Sequence, residues 1–198
     1  MPRISRRAKW VIAFVVIIIA GYGFAIFWQS RNQVPTAFAD ARSQGAIIAQ
    51  NIVNLSNQST ADLEQVNQFD AQGNFEAALS STVAIVQQSQ QLRDQAVQLS
   101  NQIEAMTTSL SDINSFDARQ AALEAISSRL ALITQLINYS GDLGNLLDTL
   151  QARFNGKYIS NTEIQARVNQ INTDVNAINN FNTQANQAMD QFDKLVGK

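Results

Sequence analysis

Residues 75–113 read FEAALSSTVAIVQQSQQLRDQAVQLSNQIEAMTTSLSDI. On its own, Gln87-Gln88-Ser89-Gln90-Gln91 would pass for a low-complexity polar tract. The residues around it say otherwise. Phe75, Ala78, Thr82, Ile85, Ser89, Leu92, Ala96, Leu99, Ile103, Met106, Leu110 and Ile113 recur in alternating steps of three and four. That spacing follows one stripe of a helix, and it predicts a single helix of about forty residues, on the order of 60 Å long.

The carboxy-terminal third repeats the pattern more purely. Ile164, Val168, Ile171, Val175, Ile178, Asn182, Ala185, Met189, Phe192 and Val196 keep the same steps, and Ser160-x-x-Glu163 ahead of them is a capping box. Between the two, Phe116, Leu123, Ile126, Leu130, Ile133 and Ile137 hold one phase, after which Tyr139, Leu143, Leu146, Leu150 and Phe154 take another. Gly141 and Gly144 stand at the changeover, which predicts one long helix with a phase shift or kink near Gly141. Upstream, Phe38, Ala41, Gly45, Ile48, Ile52 and Leu55 form a shorter stripe, and Leu63, Val66 and Phe69 a small helix before Gly73.

Breaks between the long segments are short. One runs from Asp112 to Ser115, where Asn114 and Asp117 are available as caps; the other is Asn155-Gly156-Lys157-Tyr158-Ile159, where Gly156 suits a left-handed helix stop. Short connections between helices of matched length imply antiparallel neighbours. No segment alternates at period two for long enough to suggest a sheet. The expected fold is therefore all-α: an antiparallel bundle of three long helices plus one or two shorter amino-terminal ones, over residues 36–198.

Ahead of that bundle, WVIAFVVIIIAGYGFAIFW (Trp10 to Trp28) is an apolar run long enough to cross a ~30 Å hydrocarbon core. Arg3, Arg6, Arg7 and Lys9 crowd its near side and Arg31 alone follows it, so the positive-inside rule keeps the amino terminus cytoplasmic. The predicted organisation is a cytoplasmic basic tail (1–9), a single transmembrane signal anchor in contact with the bilayer (10–28), a linker (29–35) and an extracytoplasmic bundle. The competing reading is a cleaved signal peptide with Ala37-Phe38-Ala39 as its small-x-small site, but the run is long for such a peptide and the site stands well beyond it. Tyr22, Phe24, Phe27 and Trp28 at one end and Trp10 at the other match aromatic belts of a retained helix.

Composition then excludes several functions. The part beyond the anchor holds ten basic and sixteen acidic residues, a net charge of −6, which argues against nucleic acid and anionic headgroups as partners. Cysteine and histidine are both absent, removing disulfides, thiol chemistry and the commonest general base and metal ligand. The acids are scattered: Asp190/Asp193 and Asp62/Glu64 sit beside bases or on polar faces. No phosphate loop, nucleophile triad or metal-ligand spacing can be drawn. The expectation is a protein that is not an enzyme, with no catalytic, cofactor-binding or metal residues and no cofactor. Asn54-Leu55-Ser56, Asn57-Gln58-Ser59 and Asn138-Tyr139-Ser140 match the glycosylation tripeptide, as chance allows in a chain with about forty Asn and Gln residues beyond the anchor.

Three polar residues fall at core-phase positions: Thr82, Ser89 and Asn182. They are compatible with packing tolerance, with specification of helix register, or with a small ligand pocket. Phe69 with Gly73-Asn74-Phe75-Glu76-Ala77-Ala78-Leu79 resembles the inter-helix corner of a tetratricopeptide hairpin over about fifteen residues. No second copy follows at the ~34-residue period such a stack requires, so a plain helical turn is the reading. The layout also resembles LemA-type membrane proteins, without that family's local motifs, and no function is carried across on layout. Two functions are expected to compete. The first is a membrane-tethered interaction or scaffold module at the cell envelope, with an envelope or membrane protein, or a further copy of itself, as partner. The alternative is a sensor-type extracytoplasmic bundle that binds a small ligand between helices.

Overall fold

The computed structural model describes residues 34–197. They form four long helices, α1 (Thr36–Ala71), α2 (Phe75–Thr108), α3 (Phe116–Phe154) and α4 (Asn161–Val196), with a single 3-10 turn at Leu110–Asp112 and no strand among the described residues. At 34 to 39 residues each, the helices run roughly 50–60 Å. The tail at 1–9, the predicted span at 10–28 and most of the linker lie outside the described residues. Among those described, no helix is long and apolar enough to cross a membrane.

Side-chain chemistry sets the helix starts. Asn74 Oδ1 accepts from the Ala77 amide at 3.3 Å, Ser115 Oγ from Ala118 at 3.3 Å and Ser160 Oγ from Glu163 at 3.2 Å, each satisfying an amide that the first turn leaves without a partner. Ser115, not Asn114 or Asp117, is thus the cap of α3. The Ser160 half of the predicted capping box forms, while the Glu163 carboxylate pairs with Arg167 one turn on. Gly73 and Gly156 take φ of 70° and 85° in the two tight corners, the left-handed stop expected of Gly156.

Cross-helix contacts fix the topology. Arg42 near the start of α1 pairs with Asp193 near the end of α4, Ser59 donates to Gln88, Ser89 meets Ser140, and Gln135 donates to Asp174. Each helix is therefore antiparallel to the next and α1 to α4. The diagonal pair α1 and α3 runs parallel, with Arg153 bound to Asp70 at 2.9 Å. This is an up-down-up-down four-helix bundle. Its core is a continuous column that includes Phe38, Ile52, Ile85, Leu99, Met106, Leu132, Leu143, Ile171 and Phe192.

Two expectations are corrected. The shorter amino-terminal stripe and the small helix after it are one helix, α1, so the bundle has four long helices and not three with short additions. The apparent gap falls at Ser56 and Ser59, which are polar yet fully buried: the hydrophobic pattern breaks where the helix does not. In α3 the phase shift at Gly141 is absent. Its buried positions, Ala118, Ala122, Ala125, Arg129, Leu132, Leu136, Tyr139, Leu143, Leu146 and Leu150, keep steps of four and three from end to end. The first phase chosen from the sequence instead includes Phe116, Leu123, Leu130 and Ile137, which are exposed.

Candidate functional site

That outward stripe is the most unusual surface of the bundle. Phe116, Leu123, Leu130 and Ile137 are 70%, 47%, 48% and 65% exposed and stand seven residues apart. Continuing the same spacing reaches Gly144, whose missing side chain leaves open space. Gly144 lies in a groove of about 300 Å³ between α3 and α2, walled by Leu79, Val83, Val86 and Leu147, with Thr82 and Ser89 towards the core and Arg93 and Asp148 at its rim. Val97 on α2 continues this side, one turn beyond Arg93. Eight of the eleven large hydrophobics exposed among the described residues belong to α2 and α3, with Ile137 also bordering the groove between α3 and α4. Singly exposed apolar residues are ordinary, and four in one row along a helix make this face the candidate site.

The structure brings two of the three polar core-phase residues together. Thr82 and Ser89 line the same groove, where the Thr82 hydroxyl donates to the Ala78 carbonyl at 2.8 Å and Ser89 shares a 3.2 Å contact with Ser140. Asn182 sits apart on α4, 6% exposed. Among the scattered acids, Asp62 accepts from Gln88 at 2.6 Å and Asp193 is clasped by both terminal nitrogens of Arg42, whose guanidinium lies 5.6 Å above the Phe192 ring. These two are therefore structural groups and not solvated charges.

Sequence reasoning missed two buried ionisable groups. Arg129 occupies a core position and is fully buried; its Nη1 donates to the Gly45 carbonyl at 2.7 Å, while Nε and Nη2 have no partner among the described residues. Burial, and after it the charge of Arg42, pull its pKa down to about 10, so it stays charged at neutral pH. Asp174, 1% exposed, lies between α3 and α4 and accepts from Gln135 at 2.7 Å and Gln170 at 3.1 Å through Oδ1. Burial first, and the neighbouring Asp142 carboxyl next, push its pKa up to about 6. With Asn138, Asn145 and Thr173 the two carboxyls line an open polar groove. A third polar inclusion joins Ser59, Gln88 and Asp62 beside Tyr139, whose hydroxyl burial drives up to about 12.

None of these groups forms a nucleophile–base pair, and among the described residues no three His, Cys, Asp or Glu side chains are placed to hold a metal. Comparison with protein-family models, with curated proteins and with solved structures finds no match.

Proposed function

We propose that this chain is a single-pass, membrane-tethered interaction or scaffold module of the cell envelope, with the α2/α3 face as its working surface. The observation that carries the reading is the row of Phe116, Leu123, Leu130 and Ile137, apolar surface on α3 that the bundle itself does not use, with the Leu79, Val83 and Val86 wall of the groove beyond its far end. The tether draws on the 10–28 run and its basic flank. Phe38 supports retention of that run: it is fully buried and its ring lies 5.2 Å from Phe192. Cleavage after Ala39 would remove a core aromatic, a loss of about 3–5 kcal/mol on the scale of Phe→Ala.

A small-ligand sensor draws on the α2/α3 groove that Thr82 and Ser89 line. Both hydroxyls already have partners within the bundle, so a ligand would find few unsatisfied groups to orient it. The interaction reading therefore leads. A photo-crosslinking side chain at Val97, on the working face, is expected to trap a protein in intact cells, and the same side chain at Gln187 on α4 is not. Equal trapping from both positions would overturn the assignment of the face. Protease added to intact cells is expected to digest a carboxy-terminal tag and spare an amino-terminal one; the reverse pattern would overturn the topology.

A further inference from the structure

We infer that the exposed α3 seam is covered by the same seam of a second copy of this chain, the two α3 helices lying parallel and in register with α2 of each copy flanking the other's α3. The inference rests on the reading of the α2/α3 face as the working surface and of residues 10–28 as a tether.

Spacing is the first reason. The bundle core is already served by a complete series of positions from Ala118 to Leu150, so Phe116, Leu123, Leu130 and Ile137 are surplus to it. A residue repeated every seven positions stays on one side of a helix only when that helix winds about a neighbour, because a straight helix drifts ~20° per heptad. The core series imposes that winding, and the outer series keeps a second seam at constant angle to it, as a helix gripped from two sides requires. Large, well-spaced apolar knobs of this kind fit holes on another helix.

Charge is the second. Partner-selective coiled coils carry charged residues beside the seam. Here the solvent-side neighbours are Gln120, Ser127, Thr134 and Gly141, all uncharged. Two copies of a bundle with net charge −7 over residues 36–198 meet little repulsion along this uncharged row, and the charges at the rim of the groove beyond it, Arg93 and Asp148, are of opposite sign. Size is the third. From Phe116 to Gly144 the face runs about 42 Å and spans two helices of ~10 Å, on the order of 800 Å² per copy, the area a specific interface buries on each partner. The tether sets the orientation: chains anchored in one membrane stand the same way up, and a two-fold axis along the rods then brings Leu123 to Leu123, Leu130 to Leu130 and Ile137 to Ile137.

The chain has no cysteine, which allows a direct test in the full-length membrane protein. Leu123→Cys, Leu130→Cys and Ile137→Cys, made singly, are each expected to give a disulfide-linked dimer under mild oxidation. Ile47→Cys and Leu195→Cys, also at exposed apolar positions but on α1 and α4, are expected to give at least ten-fold less. Adding Leu130→Lys to the Leu123→Cys chain should abolish the dimer while leaving helicity and melting temperature near those of the parent. Linkage confined to Leu130, with mixed linkage between Leu123 and Ile137, would overturn the parallel register. An adduct of any mass other than twice the chain, no adduct, or equal yields at the control positions would overturn the second copy as occupant. An amino-terminal tag on the same chain reports separately whether the anchor is retained, so failure of the tether is distinguishable from failure of the pairing.

Discussion

At the scale of single residues, the bundle carries two charges that its own burial opposes. Asp174 has a folded pKa of about 6 against an ordinary 3.8, so the folded state holds its proton more tightly than the unfolded chain. Its protonated form contributes stability that is fully present below about 3.8 and is lost as the pH rises through 6. Asp174→Asn keeps the acceptor for Gln135 and Gln170 and cannot ionise. It is expected to be more stable than the parent by about 1–3 kcal/mol at pH 7.5, the gap closing as the pH falls from 6 towards 4. Chemical denaturation of both proteins across that range checks this, and a gap independent of pH would refute the cause assigned. Arg129 is the mirror case: its lowered pKa means that the penalty for a buried charge is complete at every pH below about 10. Arg129→Met fills a similar volume without the charge and is expected to raise the stability at pH 7 by about 1–3 kcal/mol, as replacement of buried ionic groups by apolar ones often does. A loss of stability would show that the bond from Nη1 to the Gly45 carbonyl outweighs the desolvation of the guanidinium.

At the scale of elements, Gly141 separates two accounts of α3. Were it the site of a phase shift, a side chain there would disturb packing. The helix instead keeps one inward phase through Gly141, and a Cβ added there meets nothing within 4 Å. Gly141→Ala is therefore expected to stabilise the protein by about 0.5–1 kcal/mol through helix propensity alone, read as a higher urea midpoint at unchanged slope. In α4 the stripe was legible from sequence nearly residue by residue; in α2 the stripe was legible but the length was not, since the helix ends at Thr108 after 34 residues where about forty were expected, and a 3-10 turn at Leu110–Asp112 leads on to Ile113. In α3 the decisive residue was Arg129: a charge at an inward position, preceded by the small Ala118, Ala122 and Ala125, made the true core look weaker than the large residues of the outer seam. A hydrophobicity pattern ranks faces by apolar weight, and α3 has two such faces. The same reasoning explains α1, where buried Ser56 and Ser59 read as a break. The candidate site was hidden for a related cause: its residues were recognised as a stripe but assigned to the inside, since periodicity gives an angle between residues and not the direction in which the stripe points. Asp174 carried no signal at all, because only the approach of α3 and α4 places Asp142 and Gln135 beside it.

At the scale of the whole molecule, the bundle is closed by contacts between its first and last turns: Phe38 against Phe192, and Arg42 clasping Asp193 beside it. This places residue 34 at the end of the rod where α1 begins and α4 finishes. The seam on α3 then starts near that end and climbs away from it. For such a rod to project a surface it must hold its own core shut without a partner, and α4 offers the sharpest test. Ile171 is fully buried while Asn172, about 100° round the helix, is half-exposed. Ile171→Asp places an unpaired carboxylate in the core and is expected to remove several kcal/mol of the ~5–15 kcal/mol available to a domain of this size. Asn172→Asp should change stability by no more than ~0.5 kcal/mol. Melting curves of the two variants, followed by circular dichroism, check the contrast. Coincident curves would mean that the stripe through Ile164, Ile171 and Val175 does not depend on burial within one chain, and a face on α3 could not then be displayed by a self-supporting rod.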